Sequence, residues 1–367
     1  MRFDPALPYL RLAWCLGFST SLSPDCPHPL LDRDGEIEKW FGLSARELEE
    51  KGLPKAARRR LLDRNRGRDM ALAMLRETER LGMGLLWPGH PDWPRELEEQ
   101  ADAPPVLWFL GTPSALDAAL FTVVGTRHPS PYGIQAGTQF SEALALGGCH
   151  IVSGLARGID SIGHRAALKN GSPTIAVLGS SLDQLYPPEN KELARGILRA
   201  GGLLLSEFPP GQQAFKNSFP RRNRILAFLG RGVLVVEATL RSGTLITAEW
   251  AATRGKPVWA IPGPFGSPSS RGCHKLIREG AFLADHPAGL LQDLELEPQT
   301  PAFSREGLSD LDLQVLEQLR QGPTPPDALS TATRSEIQRV LASLEILKAK
   351  GLVRRLEGSL YARTRYS

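Results

Sequence analysis

Between residues 86 and 297 the chain repeats one unit: a short apolar run, a loop of small residues, then a stretch with helical spacing. Strands are expected at 106–110, 121–124, 150–152, 174–178, 203–205, 233–237 and 258–261. The last six are almost purely apolar, which suits strands covered on both faces of a parallel sheet rather than half-exposed ones. Helical patterns fall between them at 133–146, 160–169, 189–200, 221–229 and 244–254. Strand and helix in strict alternation predict an α/β fold with a doubly wound, mostly parallel sheet.

The flanks read differently. Residues 1–85 are predicted helical, with Leu7, Leu10, Leu12 and Leu16, then Met70, Leu72, Met74 and Leu75, at helical spacing. Ser44 followed by Glu47 is a capping-box helix start. The run 51–80 carries ten basic and four acidic residues, as a solvated helix face or a nucleic-acid or partner surface would. Residues 287–304 are rich in proline and acid and read as a linker. Beyond it, helical patterns at 310–321, 326–331 and 334–350 precede a hairpin at 352–356 and 359–363, the makings of a winged helix-turn-helix. A chain of 367 residues accommodates the three domains this implies, 1–85, 86–297 and 305–367.

Composition excludes several classes. With 41% hydrophobic and 23% charged residues the chain has the make-up of a globular protein, not a disordered one. No apolar run reaches the roughly 18–20 residues of a membrane span, and charge and proline interrupt the first 18 residues where a signal peptide would be apolar. A cytoplasmic protein is expected. Cys15, Cys26, Cys149 and Cys273 lie far apart with no Cys-x-x-Cys, so reduced thiols are expected and neither a metal nor a cofactor is implied. The net charge of +4 permits a polyanionic partner; 34 of the 44 basic residues are arginine, the side chain suited to bidentate phosphate contacts.

In open parallel sheets ligands sit beyond the carboxyl ends of the strands. Six loops at those ends are built of small residues: Gly125-Thr126-Arg127, 153–160, 179–183, 206–211, 237–244 and Pro262-Gly263. Glycine lets backbone approach a ligand, and free amides at helix starts bind anions. Arg127, Arg157 and Arg241 add positive charge, so a phosphate-binding surface is expected. Neither a G-x-x-x-x-G-K-S/T nor a G-x-G-x-x-G loop is present, nor a serine nucleophile elbow. Asp160 and His164, one turn apart, are an acid–base pair or a capping pair. Glu207 and Glu237 are general bases or loop caps. The segment 215–224 joins Phe215 and Phe219 to Lys216, Arg221, Arg222 and Arg224, the mixture of cation and ring that single-stranded nucleic acid requires; a basic helix start with a buried ring fits it equally.

In order and spacing these motifs resemble the DprA/Smf family, the DNA-processing proteins of natural transformation. The resemblance covers about 88–284 and rests on V-G-T-R at 124–127, I-V-S-G-L-A-R-G-I-D at 151–160, Y-P-P-E-N at 186–190 and L-S-E-F-P-P-G at 205–211. It continues through F-P-R-R-N-R at 219–224, R-S-G-T-L-I-T-A at 241–248 and G-C-H-K-L-I-R-E-G-A at 272–281. It implies a Rossmann-like core that binds and protects single-stranded DNA, loads the RecA recombinase onto it and forms a homodimer. It also implies a sterile-alpha-motif-like N-terminal domain and a winged helix able to take duplex DNA. The family's DNA pocket falls on Arg127, Lys216 and Phe219, with Asn223 and Arg224 in the same motif, Gly125, Ser153, Gly154 and Gly243 in the loops, and Lys191 after Y-P-P-E-N. Thr126 stands where the family usually has Ser, and His274 where Asn is frequent.

The expectation is a binding protein rather than an enzyme. Two alternatives remain: a nucleotide phosphoribohydrolase, whose P-G-G-x-G-T-x-x-E loop is similar to R-S-G-T-L-I-T-A-E ending at Glu249, and a regulator that binds duplex DNA through the winged helix.

Overall fold

A computed structural model describes residues 4–17, 37–98, 100, 102–296, 308–349 and 352–363; Cys26 lies outside them. The chain divides into two compact units, 1–297 and 298–367.

In the first unit, helices α1 (Leu7–Cys15), α2 (Ala45–Glu50), α3 (Lys55–Leu62) and α4 (Arg64–Arg80) precede the sheet. Ser44 caps α2 through the expected reciprocal box with Glu47. The sheet and its connections follow: β1 (Gly84–Leu86), α5 (Arg95–Glu98), β2 (Leu107–Gly111), β3 (Ala119–Val124), α6 (Pro131–Leu146), β4 (Cys149–Ser153), α7 (Ile159–Lys169) and β5 (Thr174–Leu178). Then come α8 (Lys191–Arg199), β6 (Leu203–Ser206), α9 (Ser218–Leu229), β7 (Val233–Val235), α10 (Thr244–Thr253), β8 (Val258–Ala260), α11 (Arg271–Arg278), β9 (Phe282–Leu283) and α12 (Pro287–Asp293).

The nine strands run in the order β1-β2-β6-β5-β4-β3-β7-β8-β9. From β6 to β9 every pairing is parallel; β2 joins β6, and β1 joins β2, antiparallel. The apolar runs are apolar throughout because alternate residues feed opposite layers. Val233 and Val235 pack with Ile225, Phe228 and Ala251 on one face, while Leu234 and Val236 pack with Phe140 and Leu144 on the other. Each such buried Val or Leu contributes about 1.5–3 kcal/mol.

Two features depart from the sequence reading. The segment predicted as linker begins with helix α12, whose Leu290 and Leu291 are buried against α6; its proline occupies the first helical position, where a missing N–H costs nothing. The N-terminal helices also share a core with the sheet. Leu10, Ala71 and Leu75 pack with Ala176, Leu178 and Leu204, and Trp108 of β2 donates its indole N–H to Thr78 of α4 at 2.9 Å.

The second unit holds α13 (Asp310–Gln318), α14 (Pro326–Thr333), α15 (Ile337–Ala349) and the hairpin β10 (Val353–Arg355) with β11 (Tyr361–Arg363). Val315, Leu329, Val340, Leu344 and Val353 form its core. Three helices and a two-stranded wing are the predicted winged helix.

Candidate nucleic-acid interface

The chain winds outward from β3 through β4 and β5 to β6, then returns to the other side of β3 to place β7. This reversal is a topological switch point, where the loops diverge and leave a crevice beyond the carboxyl ends of the strands. Helix α9 makes the return crossing and delivers Phe219, in its first turn, to that crevice.

An open cleft lies there, lined by Arg127 after β3, by Gly154, Ala156 and Arg157 after β4, by Tyr186 and Pro187 after β5, and by Phe219. The Phe219 ring is half-buried. Gly179 lies beneath it, so close that a Cβ there would stand 2.9 Å from the ring. The Tyr186 ring lies at 5.7 Å, centroid to centroid, and the exposed Arg127 guanidinium lies over the Phe219 face at 5.0 Å. Of the two readings of this phenylalanine, core residue or free ring, the structure takes neither in full: one side is packed and the other faces the cleft.

A buried cation lies beneath Gly154. Arg222 is 4% exposed and donates to the carbonyls of Gly154, at 2.7 Å, and Val177. Burial, opposed by Asp160 and reinforced by Arg127, lowers its pKa to about 10, so it stays charged at neutral pH. Asp160 is buried beside it and accepts the amides of Gly154, at 3.1 Å, and Ala156, at 3.4 Å. Burial raises its pKa, opposed by Arg222. Gly154 has no room for a side chain, because a Cβ would come within 2.4–2.5 Å of the Arg222 guanidinium.

The structure separates the predicted site residues by depth. Arg127 and Phe219 meet in the cleft. Lys216 is exposed in the loop that leads into α9. Asn223 donates to the Gly243 carbonyl at 3.1 Å, and Thr244 donates to the Gly125 carbonyl at 3.0 Å, so these candidates tie the rim together. Ser153 is buried and donates to the Val123 carbonyl at 2.7 Å. Lys191 is exposed at the start of α8 and does not line the cleft.

Arg224 departs from expectation. Only 3% exposed, it clamps Glu207 with two hydrogen bonds, 3.2 and 2.7 Å. It lies below the rim and holds the loop after β6, because a buried guanidinium needs a buried carboxylate.

Tyr186 and Gly179 were visible only as parts of motifs and loops, and Arg157 as a rim cation rather than a pocket residue. Arg157 pairs with Glu189 across the cleft wall, while Asn190 donates to the Leu155 carbonyl at 2.8 Å and fixes the loop after β4.

The candidate acid–base groups are buried or lie outside the cleft lining. His164 is fully buried, and its Nδ1 lies 2.8 Å from the Thr174 hydroxyl. That hydroxyl donates to the Ile151 carbonyl, so the imidazole is the donor and the Nδ1–H tautomer follows. Burial, then the charges of Arg222 and Arg165, lower its pKa to about 3. Glu237 accepts from the Ser130 amide and hydroxyl, at 2.9 and 2.7 Å, and from the Ser269 hydroxyl at 3.0 Å. Glu249 is exposed on α10, outside the cleft lining. Among the described residues no three His, Cys, Asp or Glu gather as metal ligands, and no helix is long and apolar enough to cross a membrane. His274, in place of the frequent Asn, sets its Nε2 3.1 Å from the Gly263 carbonyl oxygen and ties the loop after β8 to α11.

Known proteins resemble this chain along most of its length. Protein Smf of Escherichia coli is 39% identical over 282 residues, 74% of this chain and 75% of the relative. The structure of DNA processing protein A from Streptococcus pneumoniae superposes with a TM-score of 0.65 at 35% identity, over 77% of this chain and 96% of that one. DNA processing protein A from Helicobacter pylori, described for its single-stranded DNA binding mode, gives a TM-score of 0.53 at 30% identity, over 58% of this chain and 95% of that one. Residues 299–359 match the DprA winged helix domain. Residues 84–295, more than half of the chain and the whole of the sheet that builds the cleft, match DNA recombination-mediator protein A, and the chain belongs to that DprA/Smf family.

Proposed function

We propose that the protein binds single-stranded DNA in the cleft at the β3/β7 switch point and presents it to the RecA recombinase during recombination of incoming DNA. The observation that carries this reading is the exposed Arg127 guanidinium lying over the half-buried Phe219 ring. A phosphate draws the guanidinium off the ring by a charge-assisted bond, and the uncovered face accepts a base. Lys216 and the amides of the loops after β3 and β4 take flanking phosphates. Phosphate contacts carry no sequence information and stacking accepts any base, so binding is nearly independent of sequence. The family's designation as a recombination mediator and the single-stranded DNA binding described for the Helicobacter pylori protein support the assignment.

The protein acts as a homodimer through its core. Among the described residues, edge strand β9 is paired on one side only, with β8, and Phe282 and Leu283 are half-exposed on it. An uncovered apolar edge of this kind favours pairing with another chain. The winged helix takes duplex DNA.

Gel shifts with single- and double-stranded oligonucleotides across a salt series test the reading. Single-strand affinity should fall with a slope of about −0.7 in log K against log[salt] per phosphate neutralised. A flat response would refute a phosphate-binding cleft.

A further inference from the structure

The cleft uses the loops after β3, β4 and β5 and the start of α9. The loop after β8, residues 262–270, lies outside it, and at its tip Phe265 is 103% exposed. That loop is held in place at several points. Tyr132 donates its hydroxyl to the Pro262 carbonyl at 2.6 Å. The Ser267 amide donates to the Pro264 carbonyl at 3.2 Å and the Ala238 amide to the Ser269 carbonyl at 2.8 Å. The Ser269 hydroxyl donates to Glu237. The phenyl ring therefore stands clear of the surface on a loop anchored on both sides of it.

The loop is continuous with the cleft. Asn223, four residues after Phe219, donates to Gly243 in the loop after β7. The Thr126 amide, beside Arg127, donates to the Glu237 carbonyl at 2.8 Å. The next residue, Ala238, bonds the Phe265 loop. Strand β7 alone separates β3 from β8, so at about 4.8 Å per strand the two strand ends stand roughly 10 Å apart. Arg241, on the loop after β7, and Arg271, at the start of α11, are exposed on the same rim. Neither has an ion pair among the described residues. A ring on a loop of small residues, with cations on the neighbouring rim, repeats the composition of the cleft itself.

We propose that Phe265 is a second base-stacking platform, which takes a nucleobase of the same DNA strand a few nucleotides beyond the base at Phe219, with Arg241 and Arg271 on the intervening phosphates. This rests on the cleft reading above and fixes the direction in which the strand leaves it, across the end of β7 toward β8.

Binding of a 20-mer and a 4-mer of oligothymidylate, followed by fluorescence anisotropy, separates the two ideas. Phe265→Ala should weaken the 20-mer roughly 5- to 150-fold, with an unchanged salt slope, an unchanged 4-mer affinity and an unchanged melting temperature. Arg241→Ala and Arg271→Ala should each flatten the 20-mer slope by about 0.7. Arg127→Ala should weaken both lengths. Wild-type 20-mer affinity in Phe265→Ala, with Arg127→Ala impaired, overturns the platform and leaves the cleft standing. Wild-type affinity of Arg127→Ala for both lengths overturns the cleft, and with it any track for Phe265 to continue. If Phe265→Ala instead shifts the oligomeric state in sedimentation, the ring belongs to a contact between copies and the platform is overturned.

Discussion

Glu207 and Arg224 offer a direct test of the division between support and contact. Their side chains are 1% and 3% exposed and meet at 2.7 Å. Removing one partner leaves the other charged in a place without water, at a cost of about 3–5 kcal/mol. That is a large share of the roughly 5–15 kcal/mol by which domains are stable. Arg224→Met and Glu207→Leu should each carry this penalty. The double variant should not, because an apolar pair replaces an ion pair at little net cost. Arg221 also reaches Glu207, at 3.1 Å, but its side chain is 20% exposed and lies over the Phe208 ring at 5.4 Å, so loss of the carboxylate weighs less on it than on Arg224. All seven tryptophans lie in the first unit, so tryptophan fluorescence in urea follows its unfolding in the intact chain. The expected result is two destabilised single variants and a double variant within about 2 kcal/mol of the parent, a coupling of at least that size. Additive losses, or single losses under about 1 kcal/mol, would refute the pairing. If folded Arg224→Met instead flattened the salt slope of DNA binding, Arg224 would be a phosphate contact after all.

Other outcomes follow from the same geometry. Arg127→Ala and Lys216→Ala should each weaken single-strand binding and flatten the salt slope by about 0.7, read by titration at four or more salt concentrations. Phe219→Ala should cost about 1–3 kcal/mol of binding at constant slope and, because its packed side is lost from Gly179, also lower the melting temperature; unchanged binding would remove the ring from the site. His164 is neutral in the fold, with a pKa of about 3, and titrates near 6.5 when unfolded. Below pH 6.5 the unfolded chain takes up a proton the native one refuses, so stability is full above that pH and falls toward pH 3 by up to about 1.4 kcal/mol per unit. Urea midpoints of the parent between pH 7 and 4.5 should show this slope, and those of His164→Gln should show it reduced. Removal of residues 308–367 should leave tryptophan-detected unfolding and single-strand binding unchanged.

The parallel strands were readable because burial on both faces writes an unbroken apolar run, as in Leu203–Leu205 and Val233–Val235. Two edge strands were not. Gly84–Leu86 and Phe282–Leu283 are three and two residues long, too short for any period, and the second is half-exposed. The helix at Pro287–Asp293 was hidden by the proline and acids around it, though Leu290 and Leu291 were its apolar face. In F-P-R-R-N-R the composition showed a basic cluster but not which cations point outward. A helical reading carried part of that information: Arg222, Ile225, Leu226 and Leu229 fall at i, i+3, i+4 and i+7, and all four are buried. Arg224 had no such local signal, since its partner Glu207 lies seventeen residues away in another element.

Under the proposed function, the depth at which each polar group sits accounts for binding that does not read sequence. Ser153, Asn190, Asp160, Arg222 and Glu237 spend their hydrogen bonds on backbone and neighbouring side chains. They set the shape of the floor and present no free donor or acceptor pattern to a base edge. What reaches outward is of another kind. Arg127 and Lys216 end in long, flexible cations that follow a backbone, and Phe219 offers a ring face. A site that discriminated bases would invert this arrangement, with short, fixed amides at the mouth. Asn223 is the nearest such group, and its amide is already donated to Gly243. Freeing that amide, as in a Gly243 loop displaced from α9, is the local change that would introduce base preference into an otherwise indifferent cleft.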